Sequence, residues 1–529
     1  MGIFKRVTNI LASFLEICRS SSSSMRYIIP TFRQNHKRMK KKSSIQKSRR
    51  KFIKDTSVMA GTFFIVPSHT IAPGHIRPSD KLNIAAIGAG GKGYSDIRNA
   101  YQEGANNVVA LCDVDTNMAR RSVEAFPSAA FYKDFRVMLE EMKDTIDAVT
   151  ISTPDHTHAV AAKVAMDLGM HVYVQKPLTH NIYEARQLTL GARENKIVSQ
   201  MGNQGASHPA QQQMIQWFNE GLIGNVSEVY VWTNRPVWPQ GIPVPSDLPD
   251  MPSHLSKEDW DLFIGPANMV DYHPLYHPFK WRGWWNFGTG ALGDMGCHLI
   301  DIPFRLLKMG YPKEVECSVG QVFTRDWVPE YIPDGCPPSS SVQIKFDATS
   351  NNPVPITFNW SDGGIRPFHP ELIPADEHIG EPGSANGVMM IGEHGIIMCG
   401  TYGTNPQLYL NTGEKRGMPE DFDSGNPYVT LPESGHQVAW TEACKAGFGS
   451  PEHLALTSSF DYSGPLTETV LMGNLAIRSY TTSSTAEGVR KSFEGRKKLI
   501  WDGEKMEVTN YAAANEFVSR PYRDGWKLI

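Results

Sequence analysis

From residue 81 to about 205, short unbroken apolar runs alternate with stretches whose apolar positions recur every three or four residues. Runs at 82–87, 107–112, 146–152, 171–174 and 197–201 predict strands buried on both faces. The stretches at 94–101, 159–168 and 183–194 predict helices between them. Strand alternating with helix implies a parallel, doubly wound sheet. After 205 the texture changes. A helical pattern at 208–220 leads to an alternating strand at 226–232. Residues 235–290 are rich in Pro, Trp, Gly and His and read as a long ordered loop system. Helices are predicted at 292–308 and 470–480. Between them, alternating strands near 314–324, 340–347, 354–360, 387–391 and 395–399 predict a large, mostly antiparallel open sheet with one face half exposed. No internal repeat is visible.

The first strand runs into Gly88-Ala89-Gly90-Gly91-Lys92-Gly93, a G-x-G-x-x-G loop that opens a helix. In this setting Gly88 makes the tight turn and Gly90 admits a pyrophosphate to the backbone. Gly93 lets helix and strand pack closely. The helix N-terminus would turn its unpaired N–H groups on the phosphates. The second strand ends at Asp113, 25 positions after Gly88, placed to accept from both ribose hydroxyls. Its charge would repel a 2′-phosphate, so NAD is expected rather than NADP. The expected cofactor contacts are Gly88, Gly90, Gly91, Gly93 and Asp113. The organisation expected is a basic N-terminus 1–80, a Rossmann domain 81–205 and a C-terminal α/β substrate and oligomerisation domain 206–529.

Charge refines this picture. Residues 1–60 hold 15 Lys or Arg against 2 Asp or Glu, so the net −3 of the whole chain leaves the remainder at −16. An acidic body argues against nucleic acid or an anionic membrane surface as partner. Ser48-Arg49-Arg50-Lys51-Phe52-Ile53-Lys54 matches a twin-arginine export signal, and the weakly apolar stretch 57–66 is too short to span a membrane. A periplasmic or otherwise exported location is expected, with no stable membrane insertion of the mature chain. Thr70-Ile71-Ala72 loosely suits cleavage, and Met39, followed by three lysines, is the expected true start. Seven scattered cysteines show no C-x-x-C, so neither a zinc module nor a disulfide framework is read from them.

Four clusters bear candidate chemistry. Thr153-Pro154-Asp155-His156-Thr157-His158 ends a parallel strand, where the ligand crevice of such sheets lies. Thr153 and Pro154 would border the nicotinamide ribose. His158 reads equally as a cofactor contact or as a histidine satisfied at a helix start. Gln175-Lys176-Pro177 follows another strand, and Lys176 could bond both a cofactor ribose and a substrate hydroxyl. Asp294 and His298 stand four apart on a predicted helix, which suits an acid/base pair, a metal pair or a buried capping pair. No further metal ligands are evident by spacing, so no metal is expected, although help from His369 or His436 stays open. Lys280-Trp281-Arg282-Gly283-Trp284-Trp285-Asn286 combines rings and polar groups in a way that suits sugars. Arg282, Trp284, Trp285 and Asn203 are the expected substrate contacts.

Glycine loop, strand-end Asp113, Thr153-Pro154 with His158, Lys176-Pro177 and Asp294-x-x-x-His298, in that order, resemble the glucose–fructose oxidoreductase / inositol dehydrogenase (Gfo/Idh/MocA) family over roughly 81–480. The exported, twin-arginine branch is the nearest likeness. The resemblance implies a Rossmann domain, and a C-terminal domain whose open sheet often forms oligomer contacts. It also implies that Lys176, Asp294 and His298 line the catalytic site, with Lys176 touching the cofactor as well. The usual family motif is Glu-Lys-Pro, and Gln175 departs from it. The expected activity is hydride transfer from a sugar, glycoside or cyclitol hydroxyl carbon to a tightly held NAD. His298 would be the base, oriented by Asp294, and Lys176 would polarise the oxygen. Two rivals are a redox-neutral glycosidase or lyase that returns the hydride, and a non-catalytic carbohydrate-binding protein. Export favours a retained cofactor.

Overall fold

The apolar runs of the first half become strands too uniformly hydrophobic to leave a face in water. β1 (Asn83–Ile87), β2 (Asn107–Cys112), β3 (Ala130–Tyr132), β4 (Ala148–Ile151), β5 (His171–Val174) and β6 (Ser199–Met201) pair in the order β3-β2-β1-β4-β5-β6, every pairing parallel. Between them run α1 (Lys92–Tyr101), α2 (Thr116–Ala125), α3 (Phe135–Met142), α4 (Asp155–Asp167) and α5 (Ile182–Glu194). The order in which strands are added reverses between β1 and β4, and the crevice at the carboxyl ends of these two strands is where such a sheet receives a ligand. β3 lay outside the expected elements because three residues show no period.

The computed structural model describes residues 80–330, 332–429, 435–484 and 492–528. The paired arginines, the apolar stretch after them and Met39 lie outside the described residues. Among the described residues, no helix is long and apolar enough to cross a membrane.

The second half begins with α6 (Pro209–Asn219), β7 (Val226–Trp232), α7 (Lys257–Ile264), α8 (Gly290–Leu299) and α9 (Asp301–Leu306). β8 (Glu314–Val319) is followed by the hairpin β9 (Val322–Arg325) and β10 (Val328–Glu330). Then come β11 (Ser340–Phe346), β12 (Ile356–Ser361), β13 (Gly387–Gly392), β14 (Gly395–Cys399), β15 (Gln407–Leu410) and β16 (Lys415–Gly417). α10 (Gly435–Ala446), α11 (Pro451–Leu454), α12 (Phe460–Thr481), β17 (Leu499–Asp502) and β18 (Glu507–Val508) complete the helices and strands among the described residues. Ten strands form one sheet in the order β16-β15-β14-β13-β7-β12-β11-β8-β17-β18, antiparallel but for the β7–β12 pairing. Burial alternates residue by residue along β11 and β12, so one face meets the core.

Three departures from expectation have local causes. The loop system 235–290 contains α7, started by a reciprocal capping box between Ser256 and Asp259. The single helix expected at 292–308 is two, because Pro303 has no amide to give the Leu299 carbonyl. The helix expected at 470–480 begins ten residues earlier, at Phe460, and runs through Pro465 because most of its surface is buried. α12 lies against α5, α8 and β8. At Gly473 a Cβ would stand 2.3 Å from Leu292 Cδ2, so α12 and α8 approach as only glycine permits, and this contact seats α8. α10, which showed no clear apolar period, buries Trp440 and Ala443 against Leu82, Ile84, Ala148, Tyr173 and Val198 of the parallel sheet.

Candidate active site

The glycine loop is fixed by close packing. Gly88 has φ +80°, and a Cβ there would lie 2.7 Å from the Ser152 carbonyl. A Cβ on Gly93 would lie 1.9 Å from the Gly88 carbonyl oxygen, so strand and helix could not close. Gly91, at φ +53°, has no atom within 4 Å of its would-be Cβ and borders the cavity. Asp113 accepts from the Gly90 amide and the Asp115 amide, both at 3.0 Å. Burial pushes its carboxyl up to about 6, although these amide bonds oppose the shift. Gly90 and Asp113 thus hold each other, and the carboxylate keeps lone pairs for two ribose hydroxyls. These residues fit a dinucleotide whose diphosphate lies on the loop and whose ribose meets Asp113.

A cavity of about 600 Å³ begins at this loop and ends at Lys176, Asp294 and His298. The Lys176 ammonium donates to the Asp294 carboxylate at 2.9 Å and to the Asp294 main-chain carbonyl at 2.6 Å. Two of its three N–H bonds are thereby used, which leaves one for a ligand oxygen. Burial alone would push the Asp294 carboxyl up, but the Lys176 and Arg282 cations outweigh it and hold it at about 2. Arg235 Nε lies 3.7 Å from one carboxylate oxygen and Arg282 Nε 3.6 Å from the other. His298 sits one turn further along α8, its ring edge-on to Tyr402. Its Nδ1 is buried and has no hydrogen-bond partner among the described residues. Burial, then the Lys176 charge, pushes the His298 imidazole well below its ordinary value, so it is a neutral base at neutral pH. Asp294 is bonded to Lys176, and no hydrogen bond joins it to the His298 ring among those described, so its hold on the base is electrostatic.

Gln175, the departure from Glu-Lys-Pro, is explained by α1. Its amide donates to the Asp96 carboxylate at 2.8 Å. Asp96 is wholly buried and also accepts from Ser152 (2.9 Å) and Gln437 (3.0 Å), with the Lys92 ammonium at 3.1 Å. A carboxylate at 175 would face the buried Asp96, whereas the amide donates to it.

Gly88, Gly90, Gly91, Asp113, Thr153, Pro154, Lys176, Arg282, Asp294 and His298 all border the cavity. Five expected ligand contacts, Gly93 among them, do not. His158 lies behind the wall, its ring nitrogens each 2.8 Å from the Thr153 and Pro177 carbonyls, and so ties two loops together. Trp284 turns away to donate to the Leu275 carbonyl. Trp285 borders a separate cavity, and it is Trp281 that faces the main one. Asn203 is buried, whereas its neighbour Gln204 reaches the cavity. Gly93 acts by packing. Arg235, Trp238, Phe279 and Tyr402 were missed because they come from irregular segments with no spacing pattern. Asp155, also at the cavity, accepts from Thr289 at 2.6 Å and is pushed up to about 6 by burial against that bond.

Residues 82–203 match a family model described as oxidoreductase family, NAD-binding Rossmann fold, and residues 229–323 match its companion, the oxidoreductase family C-terminal alpha/beta domain. The chain is 29% identical over 237 residues to D-glucoside 3-dehydrogenase of Escherichia coli (strain K12), covering 44% of this chain and 56% of that protein. It is 41% identical over 146 residues to UDP-N-acetylglucosamine 3-dehydrogenase of Acidithiobacillus ferrooxidans, covering 28% and 39%. The chain thus spans about half or less of the curated relatives it matches. Its fold is that of an inositol dehydrogenase homolog from Azotobacter vinelandii solved with NAD+, at a TM-score of 0.51 and 16% identity over 74% of this chain and 93% of that one.

Proposed function

We propose that the chain is a member of the Gfo/Idh/MocA oxidoreductase family, as its matches over 82–203 and 229–323 support, and that it oxidises a hydroxyl-bearing carbon of a sugar, glycoside or cyclitol with NAD. The observation that carries this reading is one cavity with a glycine loop and Asp113 at one end and Lys176, Asp294 and His298 at the other. Gly88, Gly90, Gly91 and Asp113 would hold the dinucleotide, and Thr153 and Pro154 would border its reactive half. Bound NAD supplies a hydride acceptor. The protein's part is proton transfer and positioning. Lys176 gives its remaining N–H to the substrate oxygen. Asp294 fixes that ammonium and stabilises its charge. His298, neutral and desolvated, takes the hydroxyl proton. Relatives that act on glucosides and on a nucleotide sugar support the carbohydrate class.

The paired Arg49-Arg50, Phe52 and the apolar stretch 57–66 support export by the twin-arginine route, with NAD loaded before export and kept afterwards. The open ten-stranded sheet is the proposed contact between copies in a homo-oligomer. The direct test is absorbance at 340 nm of purified protein given a panel of glycosides and cyclitols without added NAD. A stable rise is expected. Product without any absorbance change would replace net oxidation by a returned hydride. No product from any member, even with NAD added, would sink the reading. Localisation of a reporter fused to residues 39–80, lost on replacing both arginines by lysine, tests export.

A further inference from the structure

The catalytic end of the cavity has more positive charge than its chemistry uses. Proton transfer there needs one cation, Lys176, and one carboxylate to steady it. Two further cations, Arg235 and Arg282, flank the same Asp294 carboxylate, one at each oxygen, and all four groups border the cavity. At 3.6–3.7 Å both arginines are close enough to feel the carboxylate, yet beyond hydrogen-bond length from Nε. Each guanidinium has five N–H bonds. Among the described residues, Arg235 uses one on Asn234 (2.6 Å) and Arg282 one on the Phe279 carbonyl (3.0 Å). Arg282 is stacked on Trp281 (4.2 Å) and Phe279 (4.4 Å), which fixes the plane of its fork. Among the described residues that border the cavity, Asp155 is the other carboxylate near this end, and one of its oxygens accepts from Thr289. Three cations thus face two carboxylates even when Asp155 is ionised, and oxidised nicotinamide would add another positive charge. Half-buried cations without full partners are costly to keep, and an oxyanion met by planar forks is the ligand that satisfies them.

We propose that the substrate is a sugar carrying an anionic substituent (carboxylate, sulfate or phosphate), bound by Arg235 and Arg282 beside the reacting hydroxyl. This rests on the oxidoreductase reading above. No covalent step is added: the oxyanion is a handle, and the forks position the ring so that its hydroxyl meets Lys176 and His298.

The test compares matched pairs with NAD supplied: methyl glucoside against methyl glucuronide, and glucose against its 6-phosphate and 6-sulfate. At least one anionic member should exceed its neutral partner in kcat/KM by about tenfold or more, and which one does identifies the oxyanion. Arg235→Met and Arg282→Met should each lower kcat/KM for that substrate by about 30- to 1000-fold, mostly through KM, and shrink the preference over the neutral partner. Arg282→Lys, which keeps the charge and loses the fork, should fall between. Calorimetric binding of each pair to NAD-loaded His298→Ala protein reads the same preference without turnover. Neutral members that bind and react as well as the anionic ones would overturn this inference and leave the oxidoreductase reading standing. So would arginine variants that weaken both members of a pair equally. Absence of turnover with every sugar would overturn the oxidoreductase reading, and calorimetry would still decide the anion preference.

Discussion

The two ends of the cavity are built on different principles. The end that fits the cofactor is largely main chain, Asp113 apart: Gly88, Gly90, Gly91 and Gly93 lie within six consecutive residues, and what matters there is the absence of side chains. The end proposed for catalysis is all side chain: Lys176 follows β5, Arg235 follows β7, Arg282 lies in the turn Lys280–Gly283, and Asp294 and His298 ride on α8. One end is contiguous and rigid by close packing. The other is assembled from distant segments and held by charge. A dinucleotide needs a shape that many proteins share, whereas a substrate needs a constellation particular to one.

The largest effects should separate the ends by chemistry. His298→Asn and Lys176→Met should each lower kcat by about 10²- to 10⁴-fold. NAD affinity, measured by calorimetry, should hold within a few-fold in His298→Asn. Loss of NAD binding in that variant would mean that the two ends are one site and would break the comparison.

Gly93→Val approaches from the other side. Its Cβ would stand 1.9 Å from the Gly88 oxygen, so β1 and α1 must part. Overpacking of this kind costs about 1–3 kcal/mol of stability. A lowered melting temperature and a raised KM for NAD should result, with kcat at saturating NAD falling less than in His298→Asn. A kcat loss as large as that of the histidine variant would show that the loop also shapes the chemistry.

The same contrast decides what was legible in the sequence. Gly88 to Gly93 and Asp113 were readable because contiguous motifs survive without knowing the fold, and the strands β1, β2 and β5 followed from unbroken apolar runs. Lys176 and the Asp294/His298 pair were readable from strand ends and helical spacing. Arg235, Trp238 and Tyr402 were not, because they occupy irregular backbone where no period says which way a side chain turns. Trp284 and Trp285 border another cavity than Trp281, and composition cannot tell which of three neighbouring rings faces the main one. α10 escaped notice because its packing face holds Trp440 and small or polar residues such as His436, Gln437 and Ala443.

Gln175 lies at the seam between the two ends, and a double-mutant cycle sharpens where the seam runs. Gln175→Glu would set a second carboxylate where an amide now donates to the buried Asp96 at 2.8 Å. It should lower the melting temperature, and Asp96→Asn in the same protein should restore part of the loss. The expected coupling is about 0.5–3 kcal/mol. A Gln175→Glu protein as stable and active as the parent would mean that the amide is not needed beside the buried Asp96.

The smallest effect lies in the pH dependence, where the two ends should titrate in opposite senses of importance. The His298 imidazole is pushed below its ordinary value by burial and then by Lys176. A base works unprotonated, so His298 stays competent well below the pH at which a free imidazole fails. Asp113 is pushed the other way by burial, up to about 6, and it must be ionised to hold ribose hydroxyls at full strength. As pH falls through about 6, Asp113 takes a proton first. The acid limb of kcat/KM for NAD should therefore lie near pH 6, while kcat/KM for the sugar at saturating NAD should persist to lower pH. Lys176→Met removes a cation that depresses His298, so its residual sugar limb should move up. Asp294→Asn removes a charge that opposes the depression, so its limb should move down. Coincident acid limbs for NAD and sugar, or shifts of the same sign in the two variants, would show that one group governs both ends.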